Sequence, residues 1–153
     1  GLRATGLRFF TVYGPWGRPD MAPLLFSRAV LAGRPIEVFN EGKMQRDFTH
    51  VSDIVSGILG ALAHPSSEDV PHRVFNLGNH TPIELEQFIG IIETAAGRPA
   101  HKVYKPMQPG DMVRTMADTR RAHDAFGYEP ATPIERGLPP VVDWCRDYFG
   151  DRA

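Results

Sequence analysis

The sequence predicts an α/β fold organised as a single unit, and three observations carry this prediction. Residues 7–13 form an almost unbroken run of apolar and aromatic β-formers, which is typical of a strand buried on both faces. Between residues 51 and 62, apolar side chains recur at helical spacing instead. Strand-like and helix-like segments alternate along the rest of the chain with no linker between them, the pattern of one α/β domain.

The first predicted strand runs into a loop rich in glycine and proline, Gly14-Pro15-Trp16-Gly17-Arg18-Pro19. In open α/β sheets, ligands bind in the crevice outside the carboxyl ends of the strands, so we expect this loop to meet a substrate. Asp20 is placed to cap a helix over residues 22–32, which Gly33 and Pro35 would end.

A hairpin is predicted next, with strands over residues 35–40 and 45–51 and a turn at residues 41–43. The apolar spacing described above then indicates a helix over residues 52–63. A polar surface loop over residues 65–69 follows this helix.

Two identical four-residue segments predict helix starts in the second half of the chain. After a buried strand over residues 73–77, Thr81-Pro82-Ile83-Glu84 has the pattern of a capping box, and the helix it opens would end at Gly97. The same letters recur at Thr132-Pro133-Ile134-Glu135, before the last helix. We interpret the repetition as one capping solution used twice.

The segment between these two boxes is predicted to contain a short strand over residues 102–105 and a loop of turn formers over residues 106–111. A small helix opened by Asp118 follows. The terminal helix is expected to cover the core with its apolar residues, Val141, Val142, Trp144, Cys145 and Phe149.

Composition excludes several classes of function. The chain has 153 residues, enough for one ordinary domain, and 42% of them are hydrophobic while 23% are charged. Its net charge of −1 gives no basic footprint for nucleic acid, and no apolar run approaches the length that spans a membrane. The single cysteine, Cys145, excludes an internal disulfide framework and favours a cytoplasmic protein. Because the chain opens at Gly1 in mid-pattern, we expect it to be a fragment.

The residues alone offer no strong catalytic motif. Neither a GxGxxG loop nor a GxxxxGK[ST] loop is present, and the six histidines lack the spacing of a metal site. His50, Ser52 and Asp53 could form a nucleophilic set, but their adjacency at a helix start favours helix capping.

Several candidate binding residues have two interpretations each. Arg46, followed by an aspartate on a short strand, could point at an anionic ligand or could form a surface ion pair. Arg18 could be a solvated loop residue, and Asp111 could be a turn former. Val38 and Phe39 could be plain core or could form a stacking platform for a base.

Six motifs occur in one order along the chain: Leu7-Arg8-Phe9-Phe10-Thr11-Val12-Tyr13-Gly14-Pro15, Val38-Phe39-Asn40, Gln45-Arg46-Asp47-Phe48-Thr49-His50-Val51-Ser52-Asp53, Phe75-Asn76-Leu77-Gly78, Pro109-Gly110-Asp111 and Ala117-Asp118. Together they resemble the carboxyl-terminal half of the extended short-chain dehydrogenase/reductase family, the NAD-dependent nucleotide-sugar epimerases and dehydratases. Within that family the run that begins at Phe9 and ends Gly-Arg-Pro-Asp-Met is most similar to the UDP-glucuronate 4-epimerase branch.

The resemblance implies a fold and a reaction. The chain would contain the end of a Rossmann-type parallel sheet and the small substrate-binding α/β lobe. The family's tyrosine base takes the proton of the sugar C4 hydroxyl while NAD takes the hydride, the 4-keto sugar rotates, and the hydride returns on the other face. The base belongs to a Tyr-x-x-x-Lys motif, and no lysine stands four residues after any of the four tyrosines.

The resemblance therefore implies that residues 1–153 are the nucleotide-sugar-binding half, that no catalytic residue lies in this chain, and that NAD is bound mainly by an absent amino-terminal half. The chain alone is expected to be inactive. The complete protein is expected to be a cytoplasmic homodimer. Three readings stay open: a UDP-glucuronate 4-epimerase, a sibling enzyme such as a 4-epimerase for another hexose, a 4,6-dehydratase or a decarboxylase, and a non-catalytic nucleotide-sugar-binding module.

The nucleotide end of the site is assigned by the resemblance to five residues. Arg46 would bind the UDP diphosphate. Val38 and Phe39 would line the uracil, and Asp111 would accept hydrogen bonds from the ribose. Many relatives carry a second arginine three positions before that aspartate, where this chain has glutamine, and Arg114 is the candidate to replace it.

The sugar and cofactor end is assigned to four more residues. Thr11 would face the hexose, and Arg18 would bind the uronate carboxylate because its planar fork matches a carboxylate in two parallel bonds. Tyr13 and Pro15 would lie beside the cofactor.

Overall fold

The computed structural model describes residues 2–66 and 72–150 and confirms the α/β fold. The strands are β1 (Ala4–Phe9), β2 (Thr11–Tyr13), β3 (Pro35–Phe39), β4 (Gln45–Arg46), β5 (Phe48–His50), β6 (His72–Leu77), β7 (Ile83–Glu84) and β8 (His101–Lys105). The helices are α1 (Ala22–Leu31), α2 (Val51–Ala63), α3 (Leu85–Ala96), α4 (Arg120–Phe126), α5 (Ile134–Gly137) and α6 (Pro139–Phe149). The polar loop predicted over 65–69 lies outside the described residues from position 67 onward.

Strand pairing is mostly parallel. β1 pairs with β6, β2 with β5 and β3 with β8, all in parallel, while β4 and β7 form a short antiparallel pair. Parallel pairing joins strands that are distant in sequence, as expected when helices connect them.

The prediction of one strand over residues 7–13, buried on both faces, is wrong in two respects. The chain divides at Phe10, whose backbone N–H donates to the Leu77 carbonyl at 3.0 Å, so β1 and β2 pair with different strands. The side chains of β1 are also partly or largely exposed, and Phe9 is half-exposed. Among the described residues β6 is the only strand beside β1, so one of its edges carries no ladder.

The predicted hairpin is also wrong. β3 pairs with β8, β4 with β7 and β5 with β2, so neither half of the predicted hairpin pairs with the other. Asn40 and Glu41 take left-handed φ values of 51° and 52° in a 3₁₀ turn closed by the Lys43 N–H on the Asn40 carbonyl. The hairpin does not form because each strand has a partner from a distant segment: β3 pairs in parallel with β8, and β4 pairs antiparallel with β7.

Helix α1 begins without the predicted cap. Met21 is the N-cap residue, and its side chain has no oxygen that could accept a capping bond, while Asp20 lies one position earlier and pairs with Arg18. The helix ends close to the predicted point, with Gly33 in the left-handed region at φ 68°.

Both predicted capping boxes are wrong. Residues 83–84 form β7, and α3 starts only at Leu85 without a side-chain cap, although it does end at Gly97 in a left-handed conformation. At the second site the Thr132 hydroxyl donates to the Asp53 carboxylate at 3.2 Å. Thr132 therefore binds a side chain in the first turn of α2 and does not cap the helix that follows it. At the small helix α4 the N-cap residue is Thr119, without a side-chain capping bond, and Asp118, one position before it, accepts from the Arg120 N–H at 3.2 Å.

The core has two parts. The larger part joins α1, α3 and α6 to β3 and β5, and Phe48 and Phe88 stack there with ring centroids 4.4 Å apart. The smaller part packs α2 and α4 against β6 through Ile54, Phe75 and Leu77. Cys145 is fully buried in the larger part.

Helix α2 leaves most of its apolar residues in solvent. Of the predicted apolar positions only Ile54 is buried, whereas Leu59 and Leu62 are 59% and 75% exposed. We refer to Val55, Ile58, Leu59 and Leu62 as the α2 face. No helix in the described part of the chain combines the length and apolar character needed to cross a membrane.

Candidate functional site

Arg46 and Asp47 stand next to each other but serve different parts of the molecule. The Arg46 Nη1 donates to the carbonyls of Met112 at 2.6 Å and Gln45 at 3.1 Å. Asp47 is fully buried and makes no bond with Arg46 in the described structure. The interpretation of this pair as a surface ion pair is therefore wrong.

Asp47 is a structural junction. Its carboxylate accepts backbone N–H bonds from Ala117 at 2.7 Å, Asn79 at 2.8 Å and His80 at 3.1 Å. These donors come from two loops, one after β6 and one before α4, so a single side chain holds both loops against the segment that carries Arg46. Buried carboxylates need such partners, because an unpaired charge in the interior is costly.

A cavity of about 230 Å³, the Arg46 cavity, brings together four of the predicted site residues. Thr11 reaches it from β2, Phe39 from the end of β3, Arg46 from β4 and Asp111 from the loop after β8. The rest of the lining is mostly apolar: Met21, Ala22, Phe26, Glu37, Met44, Phe48, Ile83 and Leu85. The cavity thus combines one cation, two carboxylates and three aromatic rings, those of Phe26, Phe39 and Phe48.

Val38 and Arg114 are not among the lining residues. Val38 is fully buried in the core on the face of β3 opposite Phe39, so only its backbone is left for a ligand contact. Arg114 pairs with Gln45 through a backbone bridge and points its Nη2 toward the Met116 sulfur at 3.6 Å.

Glu37 is a lining residue that sequence reasoning missed. It stands two residues before Phe39 on β3, and side chains two apart on a strand share a face. The available signal was the alternation of apolar and polar residues in Ile36-Glu37-Val38, and in the structure Ile36 and Val38 are buried while Glu37 is exposed.

A second, larger groove of about 610 Å³, the Gly14 groove, runs along residues 9–18 with Met21 and Val51. Thr11 and Met21 line both spaces, so the groove and the Arg46 cavity adjoin. Gly14 is required at the bend, because it has a φ of 155° and a Cβ there would lie 2.6 Å from Val51 Cγ1.

Tyr13 and Pro15 both border the Gly14 groove, but the Tyr13 ring is in the core. It packs edge-on against Phe48 and His50, with ring centroids 6.4 and 5.3 Å away. Its hydroxyl finds no hydrogen-bond partner within the described residues. Burial raises the pKa of this phenol far above its ordinary value, so it stays protonated.

Arg18 borders the same groove and is bound by Asp20. Its Nε donates to Asp20 Oδ1 at 3.1 Å and its Nη2 to Oδ2 at 2.5 Å, a two-pronged pair at the surface. Between Gly14 and Arg18, Trp16 has a left-handed φ of 65° and lies against Trp144 and Tyr148 of α6.

The capping interpretation of residues 50–53 is confirmed. His50 Nδ1 accepts from the Ser52 backbone N–H at 3.3 Å and lies 2.7 Å from the Ser52 hydroxyl. Asp53 accepts from the N–H groups of Ala131 and Thr132 and does not bind His50. Burial lowers the pKa of His50, which favours the neutral ring that can accept this bond.

The sequence matches one protein-family description over residues 1–78, that of the NAD-dependent epimerase/dehydratase family. This chain belongs to the NAD-dependent epimerase/dehydratase family.

Relatives of this chain and solved structures with a similar fold are longer than this chain. UDP-glucuronate 4-epimerase 1 of Arabidopsis thaliana is 41% identical over 98% of this chain, which covers 38% of that protein. The solved structure of MoeE5 in complex with UDP-glucuronic acid and NAD has a TM-score of 0.85 and 34% identity to this chain, over 94% of this chain and 47% of that structure.

A Bacillus cereus UDP-glucuronic acid 4-epimerase, solved with UDP-glucuronic acid and NAD, has a TM-score of 0.85 and 31% identity. The match covers 93% of this chain and 45% of that structure. This chain therefore spans about half the length of the family members it matches.

Proposed function

We propose that this chain is the nucleotide-sugar-binding half of an NAD-dependent UDP-glucuronate 4-epimerase, and that the NAD-binding half precedes it in the complete protein. The observation that carries the proposal is the meeting of Thr11, Phe39, Arg46 and Asp111 around one cavity. Those four residues come from four separate segments, and the family resemblance assigns each to a different part of a UDP-sugar.

The nucleotide end fits the Arg46 cavity. The Phe39 ring offers a face for the uracil, and the Asp111 carboxylate can accept from the ribose hydroxyls. Arg46 uses its Nη1 for two carbonyls, so three of its five N–H groups are left for diphosphate oxygens. The bond from Arg46 to the Met112 carbonyl also links the residue proposed to bind the diphosphate to the loop that carries Asp111.

The sugar end fits the junction of the cavity with the Gly14 groove. Thr11 stands at that junction, and Arg18 borders the groove beyond it. The Arg18 fork already binds one carboxylate, that of Asp20, through two parallel bonds. A uronate carboxylate would be bound in the same geometry.

NAD fits this chain only in part. The Gly14 groove, with Gly14 and Pro15 at the carboxyl end of β2, can receive one end of a dinucleotide, but the described residues include no glycine-rich loop for its phosphates. When bound, NAD supplies the hydride acceptor and donor. We therefore assign most of the NAD site, and the Tyr-x-x-x-Lys base, to the preceding half, and predict that residues 1–153 alone are inactive.

Two exposed features support a preceding half. The α2 face is apolar and lies in solvent, and β1 has a free edge in the described structure. Apolar faces and open strand edges of this kind are normally covered. The cytoplasmic location and the homodimer both stay predictions. The free, buried thiol of Cys145 is compatible with a reducing compartment and has no bearing on the dimer.

Calorimetry with UDP tests the nucleotide end. Arg46→Ala should weaken binding of UDP, UDP-glucose and UDP-glucuronate equally, by about 10- to 100-fold, because the lost charge-assisted bonds go to the diphosphate that all three share. Arg120→Ala is the matched control, since it removes an exposed arginine that pairs with Asp118 outside the cavity. Unchanged UDP affinity in Arg46→Ala would contradict the assignment.

Turnover tests the reaction. The complete enzyme should convert UDP-glucuronate to its C4 epimer in preference to UDP-glucose. Preference for a neutral sugar would favour a sibling 4-epimerase. UDP binding by a complete protein that turns over no UDP-sugar would favour a non-catalytic binding module.

A further inference from the structure

Trp16 holds an unusual position for a tryptophan. Its φ of 65° lies in the left-handed region that residues with a Cβ seldom adopt, and its side chain is 73% exposed. Such a conformation persists where its surroundings impose it, and it recurs at ligand-binding loops. Trp16 is also two residues from Arg18, and every residue from 14 to 18, Trp16 included, borders the Gly14 groove.

Two side chains of α6 pack against Trp16. The Trp16 ring lies 5.2 Å from the ring of Trp144 and 5.6 Å from that of Tyr148, measured between centroids. Trp144 and Tyr148 stack on each other with an interplanar angle of 23°, as residues four apart on one helix face can. We refer to these three side chains as the aromatic clamp.

Helix α6 is a fixed base for the clamp. Val141, Val142 and Cys145 are fully buried beneath it, and the Arg146 guanidinium donates to the Ala95 carbonyl at 2.8 Å. The clamp itself is at the surface, where Tyr148 is 60% exposed. An exposed cluster buries little apolar area, so its main physical effect is to restrict the loop that Trp16 belongs to.

We propose that Trp16, held by Trp144 and Tyr148, is a positioning residue that sets the Arg18 guanidinium at the sugar end of the site and so determines the preference for a uronate. The inference rests on the proposed function, because it needs Arg18 to bind the substrate carboxylate. Trp16 lines the Gly14 groove, but in this scheme its effect on sugar preference comes through Arg18. It acts through the loop between Gly14 and Arg18.

The experiment measures the ratio of kcat/KM for UDP-glucuronate to that for UDP-glucose in the complete enzyme. Trp16→Ala should lower the ratio about tenfold, through KM for the uronate, while Trp16→Phe keeps an aromatic ring and should retain it within about threefold. Arg18→Ala should lower it further. In the Arg18→Ala background, Trp16→Ala should change nothing more, because the residue it positions is gone. Tyr104→Ala, which removes an exposed aromatic ring on β8, is the control and should leave the ratio unchanged.

Equal loss with both substrates, or additive losses in the double variant, would show that the clamp is merely structural and would overturn the proposal. A parent enzyme without uronate preference would overturn the proposed function instead. The geometry of the aromatic clamp can also be tested on this chain alone. Trp16 and Trp144 are the two tryptophans of the chain, so a signal from a tryptophan pair reports on their contact. Rings this close should give an exciton couplet in the far-ultraviolet circular dichroism that either Trp→Phe change abolishes. Its absence in the parent chain would refute the geometry on which the proposal stands.

Discussion

Asp20 occupies the guanidinium fork that, under the proposed function, the substrate's carboxylate must enter. Arg18 holds the pKa of Asp20 below its ordinary value through their hydrogen bonds, so the carboxylate is ionised throughout the neutral range. Both side chains are exposed, and exposed ion pairs exchange partners at little cost. Asp20 is therefore an internal competitor for Arg18.

Replacing Asp20 should strengthen binding of a uronate. Asp20→Asn removes the competing charge, and we expect the KM for UDP-glucuronate to fall about two- to fivefold, the size of effect usual for an exposed pair. The KM for UDP-glucose should not change. Asp143→Asn, which breaks the exposed pair with Arg146, serves as the control. A higher KM for UDP-glucuronate in Asp20→Asn would mean that Asp20 orients Arg18 and does not compete for it.

At the scale of elements, the sequence predicted which segments are helices or strands better than it predicted which strands pair with each other. The strands at β6 and β8, the helices α2 and α3 and the glycine end of α3 agree with prediction to within one or two residues at most of their ends, because apolar spacing and glycine reflect local geometry. The hairpin prediction failed because its strands pair with the distant strands β8 and β7, which no local sequence pattern indicates. The prediction that Thr132 caps a helix was wrong because its hydroxyl donates to the carboxylate of Asp53, which is distant in sequence.

The candidate site also contains residues that could be predicted from the sequence and residues that could not. Arg46, Phe39 and Asp111 were placed in it by the family resemblance, and the structure brings them together. Strict alternation along β3 could have separated Val38 from Phe39 and added Glu37 without any structure. The burial of Asp47 could not have been foreseen, because its three N–H partners come from loops 32 to 70 residues away in sequence.

The cap of α2 should make stability depend on pH. His50 accepts the Ser52 N–H bond only when neutral, and its pKa is lowered in the folded chain, chiefly by burial. Between that lowered pKa and the ordinary value near 6.5, the unfolded chain binds more protons than the folded chain. The stabilisation is therefore complete above the unfolded pKa and is lost as pH falls through the folded one.

Urea unfolding between pH 7.5 and pH 5 measures this dependence. His50→Asn keeps a capping side chain but removes the titration, so the unfolding free energy of that variant should fall less steeply as pH falls. His123→Asn is the control, because His123 is exposed on α4. Equal slopes in the parent and in His50→Asn would show that His50 is not the titrating group.

At the scale of the whole molecule, the α2 face and the edge of β1 decide how the isolated chain behaves. We predict that residues 1–153 self-associate in solution through these features and bind no NAD. Light scattering and NAD titration measure both. Replacing Leu59 and Leu62 by glutamate should shift the chain toward monomer without unfolding it, because both side chains already lie in solvent.

Leu25→Glu is the matched control, since Leu25 is a half-exposed leucine on α1, outside the α2 face. It should leave self-association unchanged. A parent chain that stays monomeric and binds NAD would contradict both the assignment of the cofactor to a preceding half and the role given to the β1 edge.

Thr11 and Met21 form a wall common to the Arg46 cavity and the Gly14 groove. Under the proposed function the sugar end of the substrate lies at this junction and one end of NAD lies in the groove, so both ligands would contact these two side chains, and a shift that one ligand imposes there would change the affinity of the other. Thermodynamic reciprocity then requires that whatever a bound nucleotide sugar does to the affinity of a molecule in the groove, that molecule does equally to the affinity of the sugar. Communication between the two occupants would thus need no moving domain, only the side chains of one threonine and one methionine.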